Sequence, residues 1–140
     1  MRKLVITLGL VFIVFALNAQ VVKSLTNIAG TLSSVLTAKE KSTVTNLTMR
    51  GTIDARDFKT MRDSMPLLSV IDISAAKIIE YSGTQGTASN RPTSYNENTI
   101  PGNSFFNFSN QGKESLKEIK LPSGTTAIGN NAFRDCSMLE

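Results

Sequence analysis

Histidine is absent from this chain, and cysteine occurs once, at position 136. A single cysteine excludes an intrachain disulfide framework, and the usual Cys/His zinc sites are excluded as well. The chain also lacks a glycine-rich phosphate loop before a helix and the G-x-S-x-G motif of hydrolases. We therefore predict that this portion is not an enzyme and has no catalytic residue, cofactor or metal ion. We interpret Cys136 as a small buried hydrophobic residue, with a reactive thiol as the alternative.

Strong charge of one sign is also missing. The formal net charge of +4 falls to +2 without Arg2 and Lys3, since no acidic residue precedes Gln20. No basic run with interleaved aromatic residues occurs anywhere in the chain. This composition predicts that nucleic acid is not a partner.

Residues 1–19 have the composition of a secretory signal peptide. Arg2 and Lys3 precede an uncharged apolar run over residues 4–17, which is shorter than the roughly 20 residues of a spanning helix. Ala19 supplies a small residue before a cleavage point. We predict a secreted or cell-surface protein that meets the membrane only through this segment or an anchor outside this chain. An uncleaved N-terminal anchor is the alternative.

An internal repeat organises most of the remaining chain. Residues 116–139 follow the pattern L-x-x-I-x-L-P…I-G-x-x-A-F-x-x-C-x-x-L. The first part recurs at residues 68–73 and, more loosely, at residues 44–49, while the second part recurs at residues 100–105. The interval from Leu68 to Leu116 is therefore twice the interval from Val44 to Leu68. Repeating units of about 20–29 residues that stack to bury a shared core are typical of leucine-rich repeats.

Residues 116–139 resemble the repeat of the BspA-like (Treponema pallidum type) leucine-rich repeat proteins. Residues 47–74 resemble the N-terminal portion of Bacteroides-type members. The resemblance implies a surface protein, because some members of that family adhere to host proteins or other cells, but it does not identify a ligand. The repeat pattern breaks off at Glu140, so we expect this sequence to be a fragment of a longer protein.

The predicted fold class is α/β, namely a leucine-rich repeat solenoid with short strands, an N-terminal capping helix and irregular return segments. We expect a signal peptide at residues 1–19, a helical cap at residues 20–43 and a repeat region at residues 44–140, with an inserted loop at residues 81–99. Apolar residues at helical spacing place the capping helix over residues 32–41. A membrane-surface helix is the alternative there.

A second helix is predicted over residues 54–62. Asp54 is a suitable N-cap and Asp57 follows three residues later, while Phe58 and Met61 share one face. We interpret the two aspartates as a capping pair that also interacts favourably with the helix dipole. A catalytic or cation-binding pair is the alternative.

The inserted loop at residues 81–99 is rich in Ser, Thr, Asn and Gly and shows no apolar periodicity. It is either a flexible insertion or a contact loop, because Tyr combined with Ser, Gly and Asn is the chemistry of adaptable binding surfaces. As a contact loop it would use Tyr81, Arg91 and Tyr95.

The outward side chains of the predicted strands form two candidate stripes. Three pairs of apolar residues are predicted to point inward, namely Leu47 with Met49, Ile71 with Ile73 and Ile119 with Leu121. Residues that alternate with these inward positions point to the opposite side of a strand. The first stripe comprises Thr48, Asp72 and Lys120, and the second comprises Asn46, Val70 and Glu118. Each residue alone is explained by solvation, but stacked strands present a continuous surface that such proteins use for binding.

We therefore predict an exported or cell-surface binding module that mediates protein-protein or cell-adhesion contacts. The expected partner is a protein or glycan, with a host extracellular protein as one candidate. Two alternatives stay open. This region could be a structural cap whose ligand site lies in missing repeats, or an accessory targeting or structural region of a larger secreted enzyme.

Overall fold

The structure is a computed structural model that describes residues 19–140. These residues form eight strands and three helices. In chain order they are β1 (Val22–Asn27), α1 (Leu32–Val35), α2 (Ala38–Thr43), β2 (Asn46–Ile53), α3 (Ala55–Asp63), β3 (Val70–Ile78), β4 (Tyr81–Gly83), β5 (Thr93–Tyr95), β6 (Thr99–Ile100), β7 (Glu118–Lys120) and β8 (Ala127–Ile128).

Four strands form one parallel sheet in the order β1-β2-β3-β7. Val22 lies beside Asn46 and Asn46 beside Val70, so the register advances by the same interval at both steps. Val70 then lies beside Glu118, which is an advance of twice that interval. Two smaller sheets accompany the large one, the antiparallel pair β4-β5 and the parallel pair β6-β8.

The core lies between the inward face of this sheet and α3. Burying each large apolar side chain contributes roughly 1.5–3 kcal/mol relative to leaving it exposed. The side chains from both layers that are at most 1% exposed include Leu47, Met49, Ile71, Ile73, Phe58 and Met61. The inward positions predicted for β2 and β3 are therefore confirmed, while Ile119 and Leu121 are only partly buried against this core.

The predicted capping pair at the start of α3 is confirmed. Asp54 is the N-cap and accepts a hydrogen bond from the N–H of Arg56 at 2.8 Å, while Asp57 accepts one from the N–H of Asp54 at 2.9 Å. Asp57 also accepts from the N–H groups of Gly30 at 2.7 Å and Leu32 at 3.0 Å. This fully buried carboxylate therefore fastens the turn after β1 to the first turn of α3.

The two similar return segments found in the sequence lie side by side. Ile100 of β6 pairs with Ile128 of β8, and the N–H of Phe105 donates to the carbonyl of Ala132 at 2.8 Å. The rings of Phe105 and Phe133 stack with their centroids 5.5 Å apart. The matching positions of the two segments therefore contact each other directly.

The predicted leucine-rich repeat solenoid with an N-terminal capping helix is wrong. The described residues form an α/β structure with a four-stranded parallel sheet and three helices. The chain connects β1 to β2 through two short helices and β2 to β3 through α3. It connects β3 to β7 through a hairpin, the short strand β6 and residues 101–117. Because these three connections differ in kind, they do not repeat one structural unit.

The N-terminal part corrects two further details. Residues 22–27 form a strand instead of belonging to a helical cap, and the helix predicted over residues 32–41 is split into α1 and α2. Thr37 separates them because it is extended, with ψ at 161°, and its hydroxyl accepts from the N–H of Glu40 to begin α2. The predicted signal peptide falls on residues 1–18, which lie outside the described residues, and on Ala19.

The predicted loop at residues 81–99 also differs in the structure. Tyr81–Gly83 and Thr93–Tyr95 pair as an antiparallel hairpin. Arg62, at the end of α3, donates to the carbonyls of Thr87 at 3.1 Å and Asn103 at 2.7 Å. This guanidinium fixes the hairpin and the following segment against α3.

Lys113 is a buried amine that links the later part of the chain to the end of α3. Its side chain reaches the carbonyl of Met65, to which Nζ donates at 2.6 Å, and the residue is 7% exposed. Burial lowers the pKa of Lys113 to about 8, because the charged form loses its hydration.

Replacing Asp57 with Asn should lower the free energy of unfolding by about 1–3 kcal/mol. An amide has one acceptor oxygen, so it cannot serve the three N–H donors that meet the carboxylate, and buried donors are left without partners. The measurement is urea unfolding followed by circular dichroism. Asp135→Asn is the matched control, since Asp135 is exposed with φ at 55°, and it should change stability by less than about 0.5 kcal/mol. Equal effects from both changes would contradict this role.

Because of Lys113, the free energy of unfolding should rise between about pH 8 and pH 10. The pKa of Lys113 is about 8 in the folded state and near 10.4 in an unfolded chain, so the unfolded chain binds more protons in this window. From pH 7 to pH 10, the free energy of unfolding of the unmodified protein should rise on the order of 1–3 kcal/mol more than that of Lys113→Met. Urea unfolding at a series of pH values measures this difference. A constant difference across the series would show that the Lys113 amine is not desolvated.

Candidate partner-binding face

The sheet register gathers the six predicted strand residues into two rows. Asn46, Val70 and Glu118 are lateral neighbours, and β1 adds Val22 to their row. Thr48, Asp72 and Lys120 are lateral neighbours in the same way, and β1 adds Ser24. We refer to these eight residues as the two-row face.

Burial shows that the two-row face points away from the core. Leu47 and Ile71, which lie between the rows along β2 and β3, are at most 1% exposed. Because side chains alternate along a strand, their neighbours must point to the opposite side. Glu118 and Lys120 are exposed, whereas the central residues of both rows are half-buried by their lateral neighbours.

Charges of both signs lie close together on this face. Asp72 accepts from the N–H of Ser74 at 3.0 Å and from its hydroxyl at 2.6 Å. These two bonds lower the pKa of Asp72, and the nearby charges of Lys120 and Arg50 lower it further. The Nζ of Lys120 also lies 3.6 Å from an oxygen of Glu118. The face therefore presents donors and acceptors of both charge signs without a large excess of one charge.

A depression of about 590 Å³ borders the row formed by Val22, Asn46, Val70 and Glu118. Asn46 and Val70 belong to its lining as well as to the two-row face, and Leu67, which also lines it, is 53% exposed. Val22 of the same row is 64% exposed. Polar rows beside exposed apolar side chains are a usual composition for a surface that binds a protein.

The three residues predicted for a contact loop lie elsewhere. Tyr81 and Tyr95 face each other across the hairpin, with stacked rings 6.0 Å apart. Their hydroxyls accept from the N–H groups of Gln85 at 3.1 Å and Ala88 at 2.7 Å, so both tyrosines stabilise the hairpin itself. Arg91 is exposed in the connection between β4 and β5. The structure does not bring these three residues to the two-row face.

The sequence reasoning missed the contribution of β1. The strand signals at residues 44–49 and 68–73 are separated by one repeat interval. The same interval, counted back from residues 46–49, leads to residues 22–25, which pair with them in β1. That signal was available but weak, because Lys23 occupies the inward position that matches Leu47. Arg50 and Ser74 were also missed, because their influence on Asp72 depends on positions across and along the strands.

Asp54 and Asp57 serve as structural groups, since their oxygens accept backbone N–H groups and Asp54 also pairs with Arg56. Residues 19–140 contain no cluster of three or more His, Cys, Asp or Glu side chains that could hold a metal ion.

Burial raises the pKa of the Cys136 thiol, whose sulfur lies 3.7 Å from the carbonyl oxygen of Phe105.

A comparison with protein-family models gives no match, and a comparison with curated proteins gives none either.

Proposed function

We propose that this chain is an exported or cell-surface binding module that contacts a protein or glycan partner through its two-row face. The observation that carries the proposal is the alignment of outward side chains across four parallel strands. Acceptors, donors and both charge signs are present in a surface built on regular backbone. The backbone that carries these side chains is held by the sheet before binding, which lowers the entropy lost on association.

The resemblance of residues 116–139 to BspA-like surface proteins supports an adhesive role and stays a prediction. A non-catalytic role is part of the same proposal. Cys136 is buried, the chain has no histidine to activate it, and the acidic pair at α3 caps a helix. These residues are occupied by structural contacts, so the proposed function uses the sheet surface instead.

Export is the second part of the proposal. It is supported by the basic and apolar composition of residues 1–19. Within residues 19–140, no helix is long and apolar enough to cross a membrane.

The export proposal predicts a mature protein that begins at Gln20. The full sequence, expressed in a Gram-negative host, should be recovered outside the cytoplasm without residues 1–19, and mass spectrometry of the N-terminal peptide measures this. Replacing Arg2 and Lys3 with Glu should reduce export, because the basic n-region orients the signal peptide. An exported protein that keeps Met1 would support the uncleaved anchor instead.

The partner proposal predicts that Thr48→Arg weakens partner binding without unfolding the protein. Thr48 is half-buried in the middle of the two-row face, and its side chain makes no hydrogen bond within residues 19–140. A long cationic side chain there should block close approach and weaken binding at least about tenfold. Biolayer interferometry against a panel of purified extracellular matrix proteins, together with a glycan array, provides the measurement.

The matched control is Ser137→Arg, which adds the same side chain at an exposed position outside the two-row face. It should leave binding unchanged, while circular dichroism confirms that both variants are folded. Binding that survives Thr48→Arg would show that the partner contacts another surface. A full-length exported protein that binds no member of either panel would count against the adhesive role.

A further inference from the structure

A second surface lies on the α3 side of the sheet, away from the two-row face. It is an open groove of about 410 Å³ between α3 and the segment at residues 84–90. This volume falls within the roughly 300–1,000 Å³ range of small-molecule sites. The polar residues that line the groove include Arg56, Lys59, Asp63, Thr84, Gln85 and Asn90.

Arg56 is held in one orientation at the wall of this groove. Its Nε donates to both oxygens of Asp54 and its Nη2 donates to the same carboxylate and to the carbonyl of Ala29. The guanidinium carbon lies 4.6 Å from the centre of the Tyr81 ring. The other terminal nitrogen, Nη1, makes no hydrogen bond within residues 19–140, so a fixed donor remains available.

Gly30 makes this placement possible. Its φ is +77°, and a Cβ built on it would overlap the guanidinium carbon of Arg56. A side chain at position 30 would therefore displace the guanidinium. The backbone at this point is held in turn by the bond from the N–H of Gly30 to Asp57.

Each charged side chain that lines the groove is already in an ion pair. Arg56 pairs with Asp54, while Asp63 pairs with Lys59 one helical turn earlier and also with Arg62. A charged ligand would have to compete with these pairs, so the groove does not favour an anion or a cation. A neutral ligand can instead use the remaining hydrogen-bonding capacity of the same side chains.

The opposite wall supplies neutral hydrogen-bonding groups. Thr84, Gln85 and Asn90 are exposed, and their side chains have no hydrogen-bond partner in the part of the chain that the structure describes. Each can donate and accept, which matches a hydroxyl group that also does both. Large apolar side chains are not part of this lining, so the groove offers little to the apolar side chains of a peptide.

We propose that this groove binds a neutral saccharide of one or a few sugar units. Arg56 through Nη1, Asp63 through its carboxylate, and Gln85 and Asn90 through their amides are the lining residues that would bond the sugar hydroxyls. The groove is separate from the two-row face, so it provides a second binding activity that does not rest on the first.

The test is isothermal titration calorimetry of the full chain with mannotriose, maltotriose and chitotriose as neutral probes. Sialyllactose and a heparin oligosaccharide serve as charged probes, and an acidic peptide serves as the peptide probe. We expect at least one neutral trisaccharide to bind and the charged probes to bind at least about tenfold more weakly, because the groove carries no unpaired charge. Binding of only the charged probes or only the peptide would overturn the proposal, as would binding of none.

The informative variant combines Gln85→Ala with Asn90→Gly. Gln85 and Asn90 have no side-chain bond to lose within residues 19–140, and glycine accepts the φ of 49° at position 90. The affinity for the neutral trisaccharide should fall at least about tenfold through the loss of two hydrogen-bonding amides. Unchanged affinity in this folded variant would overturn the assignment of the groove.

Thr48→Arg is the matched control for the groove, because it alters the two-row face and leaves the groove intact. It should keep full affinity for the trisaccharide. Loss of trisaccharide binding in this control would place the sugar on the two-row face and overturn the groove proposal. Failure of the groove proposal leaves the partner experiment on the two-row face unaffected, so the two results can be distinguished.

Discussion

The parallel register of β1, β2, β3 and β7 is the constraint on which the rest of the structure depends. Because side chains alternate along a strand, a slip by a single position would move Leu47 and Ile71 to solvent and bring Thr48 and Asp72 into the core. The sequence offset between paired residues is the same from β1 to β2 and from β2 to β3, and it is doubled from β3 to β7. Burial of the inward side chains therefore fixes this offset. The same register that builds the core also aligns the two-row face.

The connections between the strands give the molecule its second surface. α3 closes the core with Phe58 and Met61, and its opposite side forms one wall of the groove with Arg56 and Lys59. The hairpin supplies the other wall because Arg62 fixes its backbone to α3. One core therefore separates two surfaces with different chemistry, and a substitution on one can leave the other intact.

Several features could be predicted because their causes are local in the chain. The inward pairs of β2 and β3 follow from alternation, and the start of α3 follows from Asp54 and Asp57 three residues apart. The two rows of the two-row face then follow from the regular spacing of the strand signals along the chain. The hairpin could not be predicted in this way, since it is held by the stacking of Tyr81 on Tyr95 and by Arg62 from a distant helix. The solenoid prediction was wrong because it assumed that similar strand signals imply similar connections.

The sequence by itself determined which residues alternate, where α3 begins and which strand positions align, because these depend on spacing along the chain. Only the tertiary structure decided that Asp57 holds the turn after β1, that Lys113 reaches Met65 and that Arg56 lies between Gly30 and Tyr81. These contacts join residues that are distant in the chain. Their partners are selected by burial and by the need to satisfy buried polar groups, and no local pattern in the sequence records that choice.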